Sequence, residues 1–432
     1  MSGKKTKFKQ TEVGMIPEDW EVKNVGSLVQ DCSYGVGAEA VPFNGEVKYI
    51  RITDINDDSH RFDPSPLTSP SFFEEKHFVS KNDLLIARTG ASVGKTYLYD
   101  ENDEKLVYAG FLIKMNICKA NAKFVFYSTL TKYYQNWIAG ESARTGQPGV
   151  NLQQIKSFML ALPSIEEQTA IATALSDIDH LIESLGKLIA KKKRIKQGAM
   201  QQLLTGKKRL PGFGPKASPR SARNAKCAAA KPGFKQTELG TIPMDWEVKK
   251  FGELFDMSTA TISVENIDPE FYVGTENMLQ NKMGVVKNAV VLACSNVREY
   301  RKNDVLVSNI RPYLKKIWLA DKNGGCSTDV LVFRVKNKNF NPSFLYSVVA
   351  DDRFFNIVNE NAIGTKMPRG DKSVIKQIMF AVPSTIEEQT AIAQVLGDMD
   401  LEIGTLEAKL AKYRKLKTGM MQQLLTGKIR LV

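Results

Sequence analysis

With 432 residues, 43% of them hydrophobic, the chain has room for more than one globular core, and no apolar run is long enough to span a bilayer. Sixty Lys and Arg against 47 Asp and Glu give a net charge of +13, which points to a polyanionic partner, most simply nucleic acid. Five scattered cysteines (Cys32, Cys118, Cys227, Cys294, Cys326) without a Cys-x-x-Cys, and only His60, His77 and His180 beside them, suggest no metal cluster; with no signal peptide, a reducing bacterial cytoplasm fits best.

Residues 1–28 read as a leading segment. Its stretch Phe8–Leu28, FKQTEVGMIPEDWEVKNVGSL, returns at Phe234–Leu254 as FKQTELGTIPMDWEVKKFGEL, identical at 15 of 21 positions. A period of about 221–226 residues that occurs only twice indicates a duplicated module and not a solenoid. Residues 29–161 and, in the second copy, 255–381 carry short β-rich runs (Lys48–Ile55, Phe111–Ile117, Asp329–Val335) mixed with helical stretches (Phe124–Ala139, Pro342–Val358), so both are expected to be α+β domains. Between these copies the frame is shared and the filling differs. NDLLIARTGASVGKTYLYD (Asn82–Asp100) aligns without gaps on NDVLVSNIRPYLKKIWLAD (Asn303–Asp321), each an apolar strand, a polar loop and a second apolar run. Thr145–Pro148 matches Thr365–Pro368, and Asn151–Ser164 matches Asp371–Ser384.

Residues 162–205 and 382–432 read as two long helices, the second with a C-terminal tail. Ser164 with Glu167, and Thr385 with Glu388, have the spacing of a capping box. Ile171, Leu175, Ile178, Ile182 and Leu185 alternate four- and three-residue steps, as do Ile392, Leu396, Met399, Ile403 and Leu406, which predicts a paired-helix seam. Forty residues at about 1.5 Å each make a rod of roughly 60 Å. Each helix is acidic in its first half and basic in its second, so antiparallel packing sets opposite charges face to face. The expected architecture is therefore α+β: two globular domains with an antiparallel pair of long helices between them and an internal pseudo-twofold repeat. Residues 206–233 and 234–254 are the linker and the second leading segment. From Thr205 to Gly233 there are eight Lys and Arg and no acid, so the linker supplies most of the positive excess.

Three catalytic motifs fail on inspection. TGASVGKT (Thr89–Thr96) nearly spells a phosphate-binding loop, but its first glycine, Gly90, falls one position late and the second copy has none. NIRPY (Asn309–Tyr313) is one residue too long for the Asn-Pro-Pro-Tyr of amino-methyltransferases and lacks a glycine-rich cofactor loop. A Glu-x-Lys at Glu74–Lys76 has no suitably spaced upstream acid. The same loops fit DNA contact better. Arg88, Thr89, Ser92 and Lys95 in one copy, and Asn309, Arg311, Tyr313, Lys315 and Lys316 in the other, offer the groups that meet base edges and phosphates. Arg144, Thr145 and Gln147, with Lys366 and Arg369 across the repeat, are secondary candidates.

The duplicated P-S-(T)-I-E-E-Q-T-A-I-A and Q-Q-L-L-T-G-K helices, the repeated I-P-x-D-W-E-V-K and the unlike domains between them resemble the specificity subunits of type I restriction–modification enzymes. That resemblance implies a non-catalytic chain with two target recognition domains, each reading half of an asymmetric bipartite site in double-stranded DNA, with the helices setting the spacer. It implies two modification (adenine methyltransferase) subunits docked on the repeated parts, through residues such as Trp20, Trp246, Glu167, Gln168 and Gln389. It further implies restriction subunits that cleave unmodified DNA, with S-adenosylmethionine, ATP and Mg held by those partners and no cofactor bound by this chain. A fused enzyme and a coiled-coil adaptor without a nucleic-acid role are the alternatives.

Overall fold

The computed structural model describes residues 7–143, 148–213, 233–286 and 295–431. The chain divides into two compact units, Met1–Lys187 with Ala408–Val432, and Leu188–Glu407. The first unit is built from two stretches of chain and the second from one, and neither is confined to a single repeat. Each takes the first part of one long helix and the last part of the other.

In the first unit the leading segment forms a hairpin, Phe8–Thr11 against Gly14–Pro17, followed by strand Glu21–Asn24, which pairs antiparallel with Met159–Leu162. The central sheet is antiparallel in the order Val29–Tyr34, Leu112–Ile117, Asp83–Ala87, Thr96–Leu98. Asp83–Ala87 is wholly buried, covered on one face by the helices Ala122–Thr129 and Lys132–Ser142 and on the other by a smaller cluster around Ile50, Tyr97 and Leu106. A strand buried on both faces reads as a continuous apolar run rather than an alternating one, which explains the sequence LLIA.

The second unit repeats this plan. Its hairpin is Phe234–Thr237 with Gly240–Pro243, and strand Glu247–Lys250 pairs with Met379–Val382. The central sheet runs Phe255–Met257, Val330–Val335, Val305–Ser308, Ile317–Leu319, again antiparallel throughout. The helical stretch expected over Pro342–Val358 is two helices, Pro342–Val349 and Asp352–Glu360, just as Phe124–Ala139 is broken between Ala122–Thr129 and Lys132–Ser142. Both breaks fall where a side chain caps the new helix, Thr131 accepting from the Tyr134 amide and Asp351 from the Arg353 amide.

The long helices are Ile165–Leu203 and Ile386–Leu424, 39 residues each. In the second unit Lys192 pairs with Glu402 (2.6 Å), Lys193 with Glu407 (2.7 Å) and Lys196 with Asp400. From Lys192–Glu402 to Lys196–Asp400 the partner number falls as the lysine number rises, with Lys193 reaching farther along to Glu407, so the segments are antiparallel and basic meets acidic as the charge pattern predicts. Lys417 and Asp179 make the corresponding pair in the first unit, at 2.7 Å. These are largely solvent-facing pairs, which select orientation more than they add stability. The seam expectation is modified at its start. Ile171 and Leu175 sit in the core with Phe124 and Ile155, and Ile392 and Leu396 in the core with Phe344 and Ile375, so the first turns serve the globular units. Farther along, Ile178, Leu185 and Ile403 are buried, while Ile182, Met399 and Leu406 are half-buried.

One side of each expected capping box forms: the Glu167 amide donates to Ser164 Oγ (3.3 Å) and the Glu388 amide to Thr385 Oγ1 (3.4 Å). The glutamate side chains do not fold back to complete it. Glu167 is fully buried, accepting from Trp20 Nε1 (3.1 Å) and from Arg430, whose guanidinium also grips Asp19 at 3.0 and 2.7 Å. Glu388 repeats this with Trp246 Nε1 (3.2 Å) and Arg209 (2.8 Å to Oε1), which also holds Asp245 at 2.8 and 2.9 Å. Each arginine follows the end of the opposite repeat's helix. Its approach requires the glycine just before it. Gly206 and Gly427 both have φ of +67°, and a Cβ there would lie 2.4 Å from Pro243 and Pro17 respectively.

Arg430→Ala leaves a buried carboxylate with only an indole donor, and removing one partner of such a pair costs about 3–5 kcal/mol. Urea denaturation should show that loss, and Arg430→Ala combined with Glu167→Gln should recover part of it. The pKa of Asp19 is lowered, chiefly by its hydrogen bond from Arg430, so its contribution is complete above the ordinary value of 3.8 and disappears as pH falls through the depressed one. Gly427→Ala should cost at least about 1–2 kcal/mol from the left-handed backbone alone; a change under a few tenths would contradict the close approach to Pro17.

Candidate nucleic-acid interface

The loops 88–95 and 309–316 leave the middle of each central sheet at the same point and return along its next strand. Strand–loop–strand is the wrong context for a phosphate-binding loop, which runs from strand into helix, so TGASVGKT is a hairpin turn. Each loop is stitched to a segment from far along the chain. Gly90 donates to Pro148 O (3.0 Å) and Val150 to Arg88 O (2.9 Å); in the second unit Arg311 donates to Pro368 O (2.8 Å) and Gly370 to Asn309 O (3.2 Å). The bridges Thr89–Gly149 and Ile310–Arg369 occupy the same place in the two frames. The structure therefore brings the primary loop 309–316 together with Arg369, with Lys366 three residues earlier in the same segment. Arg144, Thr145 and Gln147 lie outside the described residues.

The individual candidates divide by what their side chains already hold. The Arg88 guanidinium lies 4.7 Å from the centre of the Tyr34 ring, and its buried Nε has no hydrogen-bond partner. The Arg88 amide donates to the carbonyl of Phe111 (3.0 Å), whose side chain is exposed, as is Tyr34. A guanidinium stacked on an aromatic face is directed while its outer nitrogens stay available. Thr89 and Ser92 are half-buried and make no side-chain hydrogen bond among the described residues. Lys95 departs from the expectation for a free phosphate donor: its ammonium is nearly buried and pairs with Asp57 at 2.6 Å. That hydrogen bond and charge hold the Asp57 carboxyl below the usual range.

In the second unit Lys315 and Lys316 likewise turn inward. Lys315 Nζ donates to Asp352 (2.8 Å), which also accepts from Lys282 (2.7 Å), and Lys316 Nζ donates to Thr275 O (2.6 Å). Burial opposes ionisation of Asp352, but the two lysines outweigh it and hold its carboxyl below the usual range. Arg369 is half spent on Asp329 at 2.9 Å. Arg311, Tyr313 and Lys366 are exposed and make no side-chain hydrogen bond or ion pair among the described residues. Asn309 Oδ1 is buried without a partner, at the position equivalent to Arg88. A buried polar atom left open in each loop, a donor at Arg88 and an acceptor at Asn309, marks a place still to be satisfied.

The residues expected at a docking surface lie inside the protein. Trp20 and Trp246 are completely buried, and Glu167 is spent on the network described above. Gln168 accepts from the Asn121 amide (2.8 Å) and donates to Pro163 O (2.8 Å); Gln389 does the same with Asn341 (2.8 Å) and Pro383 O (3.0 Å). Asn121 and Asn341 in turn cap Ala122–Thr129 and Pro342–Val349. Repetition of E-E-Q-T is thus accounted for by contacts inside each unit, and any docking face consists of other residues. Sequence reading missed Tyr34 and Phe111, which no local pattern marks. It also missed Arg209 and Arg430, which extending the Q-Q-L-L-T-G-K repeat by three residues, to K-K-R-L and K-I-R-L, would have flagged, and Asp19 and Asp245, the repeated Asp of I-P-x-D-W.

Among the described residues no helix is long and apolar enough to cross a membrane, and no group of three or more His, Cys, Asp or Glu is placed to hold a metal ion. In comparisons with known proteins, residues 17–194 and 243–412 match the type I restriction modification DNA specificity domain, once in each repeat. The chain is 24% identical to the type I restriction enzyme MjaVIII specificity subunit of Methanocaldococcus jannaschii, over 99% of this chain and 97% of that one. It is 22% identical to the EcoDI specificity subunit of Escherichia coli, over 96% and 90%. The crystal structure of a type I restriction–modification S subunit from M. genitalium superposes with a TM-score of 0.59 at 16% identity, covering 94% of this chain and 96% of that one, a likeness of fold.

Proposed function

The chain belongs to the type I restriction modification DNA specificity family, and from that membership we propose that each of its two units reads one half of a split, asymmetric DNA site. The observation that carries this reading is the pair of equivalent hairpin loops. Their backbones keep the same frame and the same long-range stitching, while their side chains differ at every position except the inward-turned Lys95 and Lys316. A reader that keeps its scaffold and exchanges its exposed groups recognises different sequences with one geometry. Arg88, Thr89 and Ser92 face the DNA in one unit, and Asn309, Arg311, Tyr313 and Lys366 in the other. Lys95, Lys315 and Lys316 hold the loops in shape. Different side chains mean different half-sites.

The long helices, at 39 residues each and about 1.5 Å per residue, set the number of unread base pairs between the halves. Two modification subunits dock on exposed faces of the repeated parts, such as Ile165 and Ile386, both solvent-facing at the start of their helices. Those subunits methylate adenine, and restriction subunits join them to cleave unmodified DNA. S-adenosylmethionine, ATP and Mg belong to these partners, and this chain supplies address and not chemistry.

A map of N6-methyladenine in cells that carry the cognate modification subunit, with and without this chain, tests the proposal. A split, asymmetric motif that appears only with the chain is expected. No chain-dependent motif, with an active modification subunit present, would favour an adaptor without a DNA role. Arg88→Glu should abolish recognition of one half-site and leave assembly with the modification subunits intact, as judged by size-exclusion chromatography. Lys95→Met should mainly lower stability.

A further inference from the structure

The geometry points to Arg311 as a guanine-reading side chain of the second unit, carried on a turn whose backbone is strained to hold it. This rests on the reading of the loops as DNA-facing. The two loops share an unusual backbone. Gly90 and Gly94 have φ of 80° and 82°; at the equivalent positions of the second loop Arg311 and Lys315 have φ of 51° and 49°. Glycine adopts these left-handed angles freely, whereas residues with a Cβ do so only where their surroundings enforce it. The surroundings here do. Arg311 N donates to Pro368 O, Asn281 N to Leu314 O (3.0 Å) and Lys282 N to Lys315 O (2.9 Å), pinning the turn from two sides.

Every one of those pins is a backbone contact, so a glycine at 311 would keep them all. For Lys315 the side chain explains itself, since its ammonium shares Asp352 with Lys282 and ties the turn to the start of helix Asp352–Glu360. Arg311 has no such structural return. Its side chain is exposed and makes no hydrogen bond or ion pair among the described residues. A strained position that keeps a long cationic fork, where the sister repeat has glycine, holds the fork for something outside the fold. The guanidinium matches O6 and N7 of guanine with two parallel hydrogen bonds. In the first loop no side chain stands at Gly90, and the arginine is Arg88, two residues earlier, which places the reading group differently in the two units.

The test uses the whole modification complex assembled with either the natural chain or Arg311→Gly, comparing methylation motifs and thermal melting. The variant should melt within about 2 °C of the natural protein or above it. Its motif should become degenerate at one guanine of one half-site, with discrimination there falling roughly 10- to 100-fold. An unchanged motif overturns the proposal. So does a uniform drop in methylation at every site with weaker dependence on salt, which is the signature of a phosphate contact. A melting temperature lower by more than about 5 °C would make Arg311 a structural residue and also overturns it. If the natural chain itself directs no split motif, the DNA-reading function fails, and this inference with it.

Discussion

Two buried carboxylates hold this fold together. Glu167 and Glu388 sit at the starts of the long helices with essentially no exposed surface, and a charge in that position is tolerable only when its hydrogen bonds are complete. The partners that complete them come from far along the chain. Arg430 lies 263 residues from Glu167 and 411 from Asp19, while Arg209 lies 179 residues from Glu388. Each unit therefore closes only when the tail of the opposite helix arrives. The leading segment, the helix start and the distant tail are the parts repeated most closely, because all three meet at one ion.

Within that frame the loops 88–95 and 309–316 are free to differ. The sheet order, the turn positions with left-handed backbone and the stitching of loop to distant segment are common to both units. The ammonium groups at 95, 315 and 316 are used to hold the loops, and Arg88, Arg311 and Lys366 are left over to be presented. Such a division lets exposed groups be exchanged without touching the core, since the backbone contacts that fix the loop do not depend on them. Positive charge in such a loop is consequently a poor guide to which side chain is left free.

Much of this was legible from the residues. Period and charge polarity predict the long helices and their antiparallel pairing, since hydrophobic spacing and helix-end charge are properties of the chain itself. Gapless alignment of Asn82–Asp100 on Asn303–Asp321 locates both hairpins. The reading failed where function was assigned by repetition. Trp20, Trp246, Glu167, Gln168 and Gln389 look like a surface that a partner recognises twice, and they are internal staples. Sequence repetition records that a contact occurs twice without recording whether it faces inward or outward.

What the sequence determined by itself is the duplication, the helix register and the loops that differ, because these follow from local propensity and from comparing the chain with itself. Only the tertiary structure decided which cations are spent and which are free. Lys95 and Arg88 stand in the same loop, and nothing near them in the chain says that Asp57 neutralises one while Tyr34 merely supports the other. Arg430 gives no local sign of closing a network with Asp19 and Glu167. Pairing of charges depends on distances across the fold, and distance along the chain carries little of that information.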